Sequence, residues 1–98
     1  MNYFNHKKQK LAIYKLARKT YIAEEIENPN VGICYHLDNA VRLLGYENIN
    51  GYSKMKLSFP EIYSQKPSHL YDGVYWWSLK NTKKRIAVFD KAIQLLEE

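Results

Sequence analysis

The chain has a single cysteine, Cys34, so no disulfide can form within it and a secreted, cystine-stapled fold is excluded. Cys34 together with His6, His36 and His69 shows none of the spacings of a zinc finger or ribbon, so neither a structural metal nor a cofactor is expected. Three prolines and four glycines are too few for a collagen-like or linker-rich chain. No stretch approaches the roughly 18 apolar residues of a membrane span, so no membrane partner is expected. The start Met1-Asn2-Tyr3-Phe4-Asn5-His6 lacks the apolar run of a signal peptide, which predicts a cytoplasmic protein. A phosphate-binding loop and a dinucleotide fingerprint are absent too.

What is present is enough to fold. The chain is 98 residues long and 46% apolar, which rules out disorder, and its length fits a single domain over residues 1–98. Its formal charge is +5, from 15 Lys and Arg against 10 Asp and Glu, so anionic partners are favoured over cationic ones.

Hydrophobic periodicity predicts a mainly α protein, a small helical bundle of three main helices plus a short helix and an irregular aromatic segment. Lys7 to Glu27 holds neither glycine nor proline and reads as the first helix. Its apolar residues occupy two sides: Leu11, Tyr14, Ala17 and Tyr21 on one, Ala12, Leu16 and Ala23 on the other. A helix apolar on two sides is contacted on two sides, and self-association through this helix, giving a homo-oligomer, is the expectation. Asn28-Pro29 caps a second helix running from about Asn30 to Leu44, stopped by Gly45. Ile33, Leu37, Val41 and Leu44 form its buried stripe with Cys34 at the flank, and His36, Asn39 and Arg42 its polar side. Tyr46 to Ser58 reads as turn-rich, and Phe59-Pro60-Glu61-Ile62-Tyr63 as a short helix opened by Pro60. Lys66-Pro67-Ser68 breaks it, and Val74-Tyr75-Trp76-Trp77 reads as extended. The last helix begins at Asn81 or Thr82, with Ile86, Phe89, Ile93 and Leu96 as its core stripe and Val88, Ala92 and Leu95 in a row beside it.

The start of that last helix carries the most informative chemistry. Lys83, Lys84 and Arg85 occupy the first turn, where the macrodipole is already positive, and Glu97 and Glu98 occupy the negative end. Three cations beside unpaired helix amides suit a phosphate. Tyr75, Trp76 and Trp77 stand just before them, offering an aromatic face for a base. These six residues are the candidate binding site for a nucleotide-type ligand.

Catalytic constellations are thin. Cys34 and His36 are two apart on a helix, so their side chains diverge and His36 cannot serve as base to a Cys34 nucleophile; a buried structural cysteine is expected. Glu24, Glu25 and Glu27 end a helix, Asp38 is isolated and Asp72 lies in a turn. The chain is therefore expected not to be an enzyme. Lys7, Lys8, Lys10, Lys15, Arg18 and Lys19 make the first helix basic, but no recognition-helix or RNA-binding consensus accompanies them, so nucleic acid is not the favoured partner.

Gly32-Ile33-Cys34 at a helix start, Phe59-Pro60-Glu61, Tyr75-Trp76-Trp77 and Arg85-Ile86 opening the terminal helix follow one another in a telling order. The order resembles a family of small uncharacterised bacteriophage proteins with a G-[IL]-C element, a proline-led middle and a Y-W-[FW]-P stretch before a helix beginning R-I. The resemblance spans about Gly32 to Ile93, and Ser78 stands where the family has proline. It implies a phage accessory protein acting against host defences in the host cytoplasm, similar in style to non-enzymatic sponges that sequester nucleotide signals. A protein-interaction module occupying a host partner is the alternative, and a small nucleic-acid-binding protein a further one.

Overall fold

In the computed structural model the described residues are 7–25, 33–47, 49, 51–71, 75, 79 and 82–98, and they form five helices and no strand. The expected cap Asn28-Pro29 and the site residues Trp76 and Trp77 lie outside them. The helices are α1 (Lys7–Glu25), α2 (Ile33–Leu43), α3 (Tyr52–Ser58), α4 (Pro60–Tyr63) and α5 (Thr82–Glu97). The mainly helical reading holds, with one addition. Helix α3 occupies part of the stretch read as turns, because Gly51, at a φ of 99° that only glycine adopts readily, opens a helix that buries Met55 and Ser58.

Each end follows local chemistry. Gly45 adopts a φ of 78° just past α2, and its N–H donates to the Arg42 carbonyl while the Tyr46 N–H donates to that of Val41, both at 3.0 Å. That pair of bonds is a Schellman stop, and Tyr46 packs back on the core. Leu44, expected in the buried stripe, falls inside this stop rather than the helix and is exposed. Pro60 sits in the first turn of α4, where its missing N–H costs nothing. The Gln65 amide then donates to the carbonyls of Glu61 and Val88, both at 2.9 Å, tying the end of α4 to α5.

Helix α1 is the centre of the bundle, packed by α2 on one side and α5 on another. Ile13, Tyr14, Ala17 and Tyr21 are buried, and Leu16, on the opposite row, is partly buried against the same core. Leu16, one residue of the second apolar side, is thus met within the chain. Among the described side chains of α1 the exposed ones are Lys7, Lys8, Lys15, Lys19 and Ile22, mostly cationic. Helix α5 runs antiparallel to α1: Arg85 and Phe89 meet Tyr21, Arg18 Nε donates to Asp90 at 2.7 Å, and Lys15 reaches Glu97 at 3.8 Å.

The buried face of α5 is turned from the expected stripe. Val88, Phe89 and Ala92 are fully inside, Ile86, Ile93 and Leu96 are half-buried, and Leu95 is exposed. The reason is that Arg85 belongs to the buried row, at the spacing 85, 88, 89, 92, 96. In α2 the buried row is 33, 36, 37, 40 and 41, so His36 is inside rather than on a polar side, and Cys34 falls outside the buried arc and is exposed. The radius of gyration, 12.5 Å, is that of a compact chain of this length, about 13 Å for 100 residues. Among the described residues no helix is long and apolar enough to cross a membrane.

Phe89 and Leu43 give a direct check on this packing. Phe89→Ala empties a fully buried position and should lower the unfolding free energy by about 3–5 kcal/mol in urea titration. Leu43→Ala, at a position 62% exposed, should change it by no more than about 0.5 kcal/mol.

Candidate functional site

The three consecutive cations of α5 part company. Lys83 and Lys84 are exposed, whereas Arg85 is 2% exposed and points into the bundle. Its Nε donates to the main-chain carbonyl of Leu79, and its guanidinium lies over the Tyr21 ring, with Cζ 5.7 Å from the centroid. A guanidinium suits this position because its edge donates while its face stacks on an aromatic. Tyr21 in turn meets His36 edge-on, centroids 5.0 Å apart, and leans on Phe89 at 6.1 Å. Arg85 therefore joins α5 to α1, and through Tyr21 to α2.

Tyr75 is half-buried and, with Leu79, packs against the core. It is not extended: its N–H donates to the Tyr71 carbonyl at 3.0 Å, a helical bond that satisfies the backbone while the ring turns inward. Of the six site residues expected from sequence, the structure places Tyr75 on the core, Arg85 inside it and Lys83 and Lys84 on the surface beside it. Trp76 and Trp77 fall within the stretch bounded by Tyr75 and Leu79, outside the described residues. The first turn of α5 contains no acidic residue, so its cations and its amides act with the same sign.

A second polar cluster, not foreseen from sequence, joins α1 to α4. The Tyr14 hydroxyl donates to Glu61 Oε1 at 2.7 Å, and Lys10 Nζ lies 3.3 and 3.4 Å from the two Glu61 oxygens. Lys10 and Tyr14 are both buried. Burial, then the hydrogen bond to Glu61 and the charge on that carboxylate, hold the Tyr14 phenol far above its ordinary ionisation range. The signal for it was helical phase: Lys10 shares the row 10, 13, 14, 17, 21 with the buried residues of α1. Lys10 and Tyr14 both engage Glu61, and the cluster clasps α1 to α4.

Cys34 departs from the expectation of a buried structural cysteine. The residue is exposed rather than buried, but partial desolvation of the thiol raises its pKa above the ordinary value, which disfavours the thiolate at neutral pH. His36 lies on the buried face of the same helix, away from it. Among the described residues no three His, Cys, Asp or Glu side chains gather as a metal ion would require. No protein-family model, no curated protein and no solved structure matches the chain. The resemblance to small phage proteins rests on the residues quoted for it alone.

The Tyr14 phenol makes a pH prediction with a definite sign. Its folded pKa is raised above the ordinary 10.0, so its contribution to stability is intact below that value and is lost as the pH rises beyond it. Urea unfolding from pH 9 to 11.5, a range of about two units around an ordinary tyrosine pKa, should show stability falling with pH, and Tyr14→Phe should flatten that fall. A slope unchanged by the substitution would remove Tyr14 as its source.

Proposed function

We propose that this chain is a non-catalytic binding protein that sequesters an anionic, nucleotide-type molecule. Lys83 and Lys84 would meet its phosphate or pyrophosphate together with the first amides of α5, and the aromatic stretch beginning at Tyr75 would lie against its base. The observation that supports the reading best is the division of the first turn of α5. Two lysines stand at the surface, while the arginine beside them reaches back to Leu79, two residues beyond the aromatic stretch. The surface cations thus stand beside an arginine bonded to Leu79, which follows Trp76 and Trp77 closely in sequence, and cations with aromatics are the pairing a nucleotide needs. The resemblance to phage proteins adds a role: capture of a host signal as a counter-defence act. Association of two copies through α1 remains part of this reading.

Burial of Arg85 revises which cations touch ligand. The two lysines are the contacts, and Arg85→Ala should cost stability.

One observation favours a second reading, a module that docks on another protein. Tyr35 and Leu43 on α2, Leu57 on α3 and Tyr71 are all exposed. This reading expects a stable complex in pull-downs and no thermal shift with nucleotides.

Calorimetric titration with ADP-ribose and with a cyclic dinucleotide separates the two. The nucleotide reading expects one of them to bind, to be recovered chemically unchanged, and to lose at least about tenfold in affinity, roughly 1.4 kcal/mol, in Lys83→Ala/Lys84→Ala. Added salt should weaken binding, because exposed cations are screened. No heat with either compound, or an affinity indifferent to both lysines, would contradict it.

A further inference from the structure

Helix α2 packs on α1 through one face, the row Ile33, His36, Leu37, Ala40 and Val41, and that phase turns two other rows outward. Tyr35, Asn39 and Leu43 follow one another at a spacing of four, and Asp38 and Arg42 stand in the row beside them. Rows of this spacing are the ridges by which helices interdigitate. The outward face of a solvated helix ordinarily carries polar and charged residues. Here the first row has a large apolar side chain at each end, Tyr35 at 48% exposure and Leu43 at 62%.

The order of residue types along the two rows is self-complementary. A second α2, turned end for end about a twofold axis through Asn39, brings its Leu43 to Tyr35 and its Tyr35 to Leu43. The two Asn39 amides then face each other, each with a donor and an acceptor for the other. Asp38 and Arg42, an ion pair within one chain at 2.7 Å, meet the partner's Arg42 and the partner's Asp38 alongside. Apolar therefore meets apolar at both ends of the ridge, and each charge meets its opposite beside it.

We propose that the outward face of α2 is a contact between two copies of this chain, paired antiparallel about Asn39. It lies on a different helix from the α1 association of the nucleotide reading and does not rest on that reading. One face of an 11-residue helix is less than the about 20–30 residues a side of a standard interface, so the contact is weak and reversible. A dissociation constant on the order of 100 µM is expected. At the lower concentrations of urea titration the face is unpaired, which keeps Leu43→Ala neutral for folding.

Sedimentation equilibrium without nucleotide, from about 10 µM to about 1 mM protein, tests the contact, with circular dichroism to check that each variant is folded. The wild type should pass from monomer to dimer across that range. Leu43→Ala should weaken association about tenfold. Asp38→Arg gives each face two arginines and Arg42→Asp two aspartates, so each variant alone should stay monomeric. An equimolar mixture of the two should associate, because each charge then meets its opposite across the axis. A role confined to one chain cannot give that recovery, since neither variant regains its own ion pair. Lys15→Glu/Lys19→Glu, on the outward side of α1, should leave association unchanged.

A wild type monomeric throughout would overturn the proposal and leave the face to a different protein. A mixture no more associated than its components, or loss in the α1 variant alone, would overturn it too. Should the α2 variants fail to fold, the wild type decides by NMR in a mixture of two isotope labels. Contacts between the Tyr35 ring of one copy and the Leu43 methyls of the other support the pairing, and a dimer without them overturns it.

Discussion

The bundle is organised around the need to satisfy a cation inside it. An isolated buried charge is costly, and proteins tolerate one only where hydrogen bonds and polarizable neighbours replace the lost water. Arg85 has a main-chain carbonyl and a tyrosine ring, and both come from elsewhere in the chain: Leu79 from the connection before α5, Tyr21 from the last turns of α1. That requirement fixes the approach of α5 to α1 at one end. Tyr21 then carries the constraint to α2, where His36 meets it edge-on. The Lys10, Tyr14 and Glu61 clasp does the same at the other end of α1, joining it to α4. Two polar pins, one near each end of the central helix, set the orientation that non-directional apolar burial leaves loose.

Charge along the two long helices follows from the same packing. Both begin with lysines and carry no acid in their first turn, and α5 ends in Glu97, the wrong sign at each pole for an isolated helix. Antiparallel neighbours relieve this, because the negative end of one lies beside the positive end of the other. Lys15 of α1 reaches Glu97 of α5, and Arg18 pairs with Asp90. The pole charges therefore have a partial account inside the chain. The proposed nucleotide reading therefore rests on the exposure of Lys83 and Lys84 rather than on the pole charges alone.

Much of the fold was legible in the sequence; helix α3 and the helical bond of Tyr75 were not, and the misplaced helix faces share one cause. Helix positions followed from the absence of breakers, the stop at Gly45 and the proline at the start of α4, which are local effects. The buried faces were read by apolar residues alone, and each long helix carries a polar residue in its buried row: Lys10 in α1, His36 in α2, Arg85 in α5. Leaving those positions out rotated the inferred face of α5 and sent His36 to the wrong side of α2. Helical phase would have sorted Arg85 from Lys83 and Lys84, since it falls in line with Val88, Phe89 and Ala92. The partners of these three residues, Glu61, Tyr21 and Leu79, lie far away in sequence or in a connection, so no local pattern announces them.

The described residues keep Lys10, His36 and Arg85 inside and Lys83 and Lys84 outside. The central point is the separation of one cationic turn into an inward arginine and two outward lysines. The chain contains three arginines, Arg18, Arg42 and Arg85, and only the last is buried, so chemical labelling can read the separation directly. Treated with phenylglyoxal in the native state and mapped by mass spectrometry, Arg18 and Arg42 should be modified while Arg85 is protected until denaturant is added. Modification of Arg85 in the native protein at the rate of Arg42 would contradict the account.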